Sequence, residues 1–179
     1  MTMPSLHLGN PWYYAAWQGG FFIIAFLLNS FVEWTVHKFL MHSRKIIKFG
    51  YDLHAAQHHV LFDGGDAYHA VNEDVKQHVR FVPRDYLLLL AFTTPIWLCV
   101  ELAAGRPFLF GGMAATLAGL QLFNSLHWRY HVPSDTWFQR TRFFRYLKEN
   151  HRLHHGDMTK NFNVNFFPIA DFLLGTLKK

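Results

Sequence analysis

Three apolar runs constrain this chain more than anything else in it. Residues 12–32 are apolar except for Gln18, Asn29 and Ser30, residues 86–103 carry only Glu101 as a charge, and residues 108–126 carry none. Each is long enough, at about 20 residues, to cross the hydrocarbon core of a bilayer as a helix. Trp12, Tyr13, Tyr14 and Trp17 at one end of the first run and Trp34 at the other read as interfacial belts. Pro95 should kink the second span, and the Gly105-Arg106-Pro107 turn sends the chain back through the third. Residues 111–119, GGMAATLAG, supply small side chains for close helix packing. The expected architecture is all-α: an integral membrane helical bundle, one domain over residues 1–179, with everything polar outside the spans.

The polar part is organised by histidine. Ten of the thirteen histidines fall in four short clusters: His37 and His42; His54, His58 and His59; His127 and His131; His151, His154 and His155. Residues three and four apart share a helix face, so His54/His58, His127/His131 and His151/His154/His155 can each aim imidazoles at one point. His37 and His42 are five apart, about 140° round an α-helix. Both can ligate only if the helix ends there or if they serve different ions, and the same holds for the adjacent His58 and His59. Ten imidazoles exceed what one metal can use, and imidazole suits Zn, Cu, Fe and Ni. A dinuclear site is expected.

Together, EWTVHKFLMH, NSLHWRYH, NHRLHH and the tail NFNVNFFPIADFLLGT resemble the fatty acid hydroxylase/sterol desaturase superfamily, over roughly residues 33–176. That resemblance implies a membrane-bound di-iron enzyme whose ten clustered histidines hold the metal, with O2 as co-substrate and a lipid as the substrate. Two departures stand out: the second cluster is HX3HH where HX2HH is usual, and Asn163 stands where a glycine is usual. Hydroxylation and desaturation begin from the same hydrogen abstraction, so the motifs do not separate them. Chemistry favours iron, because zinc cannot change oxidation state, although imidazole also binds zinc well enough for it to be isolated with the protein.

Glu33, four residues before His37, and Asn124, three before His127, are placed to fix an imidazole tautomer from behind. Asp52, Glu149 and Asn150 lie as close in sequence and read as caps or solvated groups. His7, His69 and His78 stand outside any ligand spacing, in segments expected at the surface.

Between the spans, a short helix is expected over about 51–61, after a stop at Gly50 and before a DGGD turn at 63–66. Ser134 or Asp135 should cap an amphipathic helix with Trp137, Thr141, Phe144 and Leu147 on one face. The tail from 162 to 177 is too polar at its start to span and should fold as a cap over the histidine side. The lone Cys99 sits in an apolar run and reads as a small buried hydrophobe.

The net charge of +5 and pI near 9.4 do not indicate nucleic acid, because the basic residues lie beside apolar spans rather than along one soluble patch. With three spans, sixteen of the seventeen Lys and Arg fall on the histidine side and only Arg106 on the other. The positive-inside rule then puts the histidine cap in the cytoplasm and the N-terminus outside, in a bacterial inner membrane or an endoplasmic reticulum. Residues 1–11 carry no Lys or Arg, so no secretory signal is expected.

No nucleotide-binding motif is visible, so electrons are expected from a separate ferredoxin-, rubredoxin- or cytochrome b5-type donor with an NAD(P)H reductase, docking on Arg44, Lys45, Lys48, Arg140, Arg142 and Arg145. Two other classes fit the pattern less well. A transporter would set its polar residues at mid-membrane, and a haem protein needs two axial ligands per haem, not ten.

Overall fold

The computed structural model describes residues 10–70, 72–165 and 167–178; His7 lies outside them. Every described element is helical, with no strand among the described residues. Helix α1 (Pro11–Thr35) passes without a break into a π-helical segment, Val36–Met41. Helix α2 opens at Lys48–Leu53, becomes π-helical over His54–His58 and closes at His59–Leu61. Helices α3 (Pro83–Ala104) and α4 (Leu109–His131) follow, then α5 (Arg142–Gly156) and the short α6 (Ile169–Leu173). Among the described residues, three helices are long and apolar enough to cross a membrane: Pro11–Met41, Pro83–Ala104 and Leu109–His131. The last runs five residues past the apolar stretch at its end, which keeps His127 and His131 on a continuous α-helix.

The chain divides into two compact units, residues 10–29 with 82–120 and residues 30–81 with 121–178. In the first, Ala25, Trp97 and Ala115 are buried among Phe21, Phe22, Phe26 and Met113. Two of its polar side chains are paired internally: Asn29 donates to the Ala115 carbonyl at 2.7 Å, and Glu101 accepts the Phe108 and Leu109 N–H groups that open α4. Outward side chains such as Ile23, Leu87, Phe92 and Phe110 are apolar and exposed, as a lipid-facing surface requires. An open groove of about 500 Å³ beside Trp17, Phe21 and Phe108 is lined almost wholly by apolar atoms. Cys99 is exposed on α3 and not buried as its surroundings in sequence suggested; a helix that is apolar all round has no sequence signal for its buried side.

The second unit has two cores. Tyr68, Phe123, Leu126, Tyr130, Phe144, Leu147 and Val164 form one; Trp34, Phe162 and Ala170 form the other. Two local expectations are corrected. Gly50 is not the stop of the first helix, which ends with its π segment at Met41; it lies inside α2, where a Cβ would sit 2.5 Å from the Leu40 carbonyl oxygen, so glycine allows α2 to close on the end of that segment. Helix α5 begins at Arg142, capped by Thr141, whose hydroxyl accepts the Phe144 N–H at 3.1 Å. Ser134 and Asp135 are engaged instead with Gln139 and Arg140, and Trp137 is 81% exposed, off the buried face that Phe144 and Leu147 share.

Candidate metal centre

All ten clustered histidines meet within the second unit, in two groups of five. One consists of His37, His42, His54, His59 and His154, the other of His58, His127, His131, His151 and His155, and within each group the candidate ligand nitrogens lie within 4.8 Å of one another. Nine of the ten are buried, and His42 is half-buried. Rings from the two groups touch: His59 and His155 stack with centroids 4.1 Å apart. His69 and His78 belong to neither group; His78 is exposed and His69 lies beside Lys148, with 2.8 Å between Nε2 and Nζ.

The grouping follows from the helix type at each cluster. On the α-helices, partners are four apart: His127 with His131, and His151 with His155, leaving His154 to the other group. On the π segments, where hydrogen bonds run between residues five apart, partners are five apart. The His42 N–H donates to the His37 carbonyl at 3.1 Å, and the His59 N–H donates to the His54 carbonyl. The π turns thus bring round to one side residues that an α-helix would hold about 140° apart. His54 consequently joins His59, and the expected His54/His58 pairing is replaced: His58 turns to the other group.

Six Nε2 to Nε2 separations fall between 2.8 and 3.2 Å: His37 to His54, His42 to His154, His59 to His54, His127 to His58, His131 to His151, and His155 to His151. Five of these rings have a committed tautomer. His37 donates Nδ1–H to the Phe162 carbonyl at 2.5 Å, His154 to Lys160 at 2.6 Å, His131 to Tyr68 at 2.8 Å, His127 to Val79 at 3.2 Å, and His155 to Phe62. Their Nε2 atoms therefore carry lone pairs that point into the groups. Converging lone pairs repel one another unless a cation lies among them. With imidazole nitrogen about 2.0–2.1 Å from a bound metal, ligands at right angles stand about 3.0 Å apart, so the separations fit a metal ion with more than four ligands. The Nδ1 atoms of His58, His59 and His151 are buried with no protein partner among the described residues.

Burial also prepares the rings to ligate, since a metal needs neutral imidazole. Burial, with His37 close by, pushes His42 down to about 3, and burial pushes His155 down to about 3. His54, His58, His59, His151 and His154 are driven well below the usual histidine value, first by burial and then by neighbouring histidines. An aromatic jacket of Phe62, Tyr68, Phe123, Tyr130 and Phe162 packs against the rings.

The two supporting residues expected from spacing both bond to main chain. Glu33 accepts the Val164 N–H at 2.6 Å, the Asn165 N–H at 3.2 Å and the Asn163 side-chain amide at 3.3 Å. All three donors come from the tail. The Asn124 side-chain oxygen accepts the Phe81 N–H at 3.1 Å and so anchors the segment whose Val79 carbonyl meets His127. Asp52 pairs with Lys48 and Glu149 with Arg152, as solvated groups do. The segment at 67–82 is more than surface: its Tyr68 and Val79 side chains are buried and their carbonyls orient two imidazoles. Main-chain acceptors have no residue signature, although the aromatic and β-branched side chains at 68 and 79 were a hint of burial.

The fatty acid hydroxylase family model matches residues 22–176, which includes all ten histidines. No curated protein and no solved structure matches the chain.

Proposed function

The chain belongs to the fatty acid hydroxylase family, and from that premise we propose that it is an O2-dependent lipid hydroxylase acting on a long acyl or sterol-like chain, with an iron ion in each histidine group. The observation that supports this most directly is the division of ten buried imidazoles into two groups of five, in ring contact, each with its nitrogens converging. Bound iron would supply the change of oxidation state that reduction of O2 and attack on an unactivated C–H bond demand, which zinc cannot.

The protein's own residues hold and orient. Carbonyls of Phe62, Tyr68, Val79, Lys160 and Phe162 fix five imidazoles with Nε2 inward. Burial favours the neutral ring, with its one proton on Nδ1 and Nε2 left free to ligate, and the aromatic jacket keeps water from the rings. All ten histidines are the proposed ligands, with Glu33 and Asn124 acting from behind through the main-chain segments they anchor.

The whole of 1–179 is proposed as one membrane-embedded domain, with three crossings and the histidines on the cytoplasmic face, supported by the sixteen-to-one distribution of Lys and Arg. Electrons would come from a separate acidic donor protein with an NAD(P)H reductase. For its docking the exposed Arg44, Lys45, Arg142 and Arg145 are the best candidates, since they make no ion pair among the described residues, whereas Lys48 and Arg140 are engaged with Asp52 and Asp135.

The test is reconstitution of iron-loaded protein with a donor system, lipid extract and 18O2, followed by mass spectrometry. Label in a lipid hydroxyl is expected. A lipid that loses two hydrogens and gains no label identifies a desaturase, and no lipid change together with cation uptake in proteoliposomes identifies a transporter.

A further inference from the structure

We propose that the two histidine groups are positioned by separate stretches of main chain, and that the carboxylates Asp171 and Glu33 are positioning residues for the His37 group alone. This rests on the reading that each group holds a metal ion.

Four successive amides of the tail are taken up by two carboxylates. The Phe162 and Asn163 N–H groups donate to the two oxygens of Asp171 at 3.0 and 2.7 Å, and those of Val164 and Asn165 donate to one oxygen of Glu33 at 2.6 and 3.2 Å. Asp171 is fully buried and also accepts the Thr176 hydroxyl at 2.6 Å, while Thr176 in turn accepts the Trp34 indole N–H at 2.8 Å. Asn163 ties the carboxylates together. Its amide nitrogen donates to Glu33 and to the Ser30 carbonyl, and its oxygen accepts the Asp171 N–H. Four such bonds on consecutive residues hold the main chain of residues 160–165, a strap along the first group, in one course.

What that course delivers is selective. Lys160 and Phe162 present their carbonyls to His154 and His37, both of the first group. The second group takes its carbonyls from Phe62, Tyr68 and Val79, outside the strap. Towards that second group the strap offers the Val164 carbonyl to the Tyr130 hydroxyl, whose ring packs 5.4 Å from His151; this contact passes through no ligand nitrogen. Loosening the strap should therefore release one ion and leave the other.

Asp171→Asn keeps the shape but turns an NH2 donor against a backbone N–H, and Glu33→Ala removes the acceptor of the Val164 and Asn165 N–H groups. The readout is iron per chain, by elemental analysis, of full-length protein loaded anaerobically in detergent. The parent protein should hold two; if it holds none, the metal reading itself fails, whatever the strap does. Asp171→Asn should halve the content to about one. His154→Ala and His151→Ala each break one group and should leave about one. Adding Asp171→Asn should change nothing in the His154→Ala protein and should empty the His151→Ala protein.

General destabilisation would strip both backgrounds alike, and that result overturns the proposal. So does a full complement of two in Asp171→Asn, or an empty site in either single histidine variant, since each group must hold its ion without the other. Glu33→Ala should repeat the pattern and decides the matter if Asp171→Asn does not fold.

Discussion

His59 closes a π turn on His54: its backbone N–H donates to the His54 carbonyl, and the two Nε2 atoms lie 3.2 Å apart. The same device joins His42 to His37. On α5, His151 and His155 reach one group at a spacing of four while His154 goes to the other. The HX3HH cluster, with one residue more and a π turn, sends His54 and His59 to one group and His58 to the other in the same way. A π turn is a one-residue insertion accommodated within a helix. Deleting the exposed Ala56 should convert the turn to α and the motif to HX2HH while both ions stay bound. Elemental analysis checks this, and loss of an ion on deletion would refute the equivalence.

Replacing any of the ten histidines with Ala should lower metal content, whereas His69→Ala and His78→Ala should leave it at the parent value, because neither belongs to a group. The losses should be selective: His131→Ala costs the second group its ion, and His37→Ala the first. Activity should fall by at least the roughly 10–100-fold typical of damage to residues that support a metal site. If His69→Ala empties the protein as His131→Ala does, the division is wrong.

Phe144 is 2% exposed in the larger core of the second unit, while Trp137, close by in sequence, is 81% exposed. Phe144→Ala should cost about 3–5 kcal/mol in stability, the range for a buried aromatic truncated to alanine. Trp137→Ala should change it by no more than about 0.5 kcal/mol. Thermal unfolding in detergent compares them, and equal losses would contradict the orientation of α5.

Metal-free protein should weaken on acidification. His42 and His155 fall to about 3 in the fold, and His54, His59, His151 and His154 are also lowered, all chiefly by burial. In the unfolded chain these groups titrate near 6.5. Between 6.5 and about 3 the unfolded state therefore binds more protons, so stability drops as pH falls through that window; above it these groups contribute no slope. Melting temperatures of chelator-treated protein should be level above about pH 7 and decline steadily below 6.5. A level profile down to about pH 5 would show that the rings are not buried neutral.

Much of this molecule could be read from its residues, because a lipid-crossing helix and an imidazole ligand both leave strong marks. The three described helices long and apolar enough to cross a membrane lie where the apolar runs are, and the ten histidines that meet are the ten that cluster. How they pair could not be read, since His54 and His58 fit an α-helical face and nothing in HAAQHH announces a π turn. Glu33 was chosen by its distance from His37 along the chain, but its donors arrive from residues 163–165, more than a hundred positions away. Asn163, where a glycine is usual, gave no sign that its side chain would bond Ser30, Glu33 and Asp171 within a buried network.

The oxygens that aim His37, His127, His131, His154 and His155 all belong to the main chain, at residues 162, 79, 68, 160 and 62. Evolution therefore acts on that layer through the path of the backbone and hardly at all through the letters along it. The outer layer of this centre can drift in composition while its geometry stays put, so sequence comparison across distant relatives would see the histidines and miss what holds them.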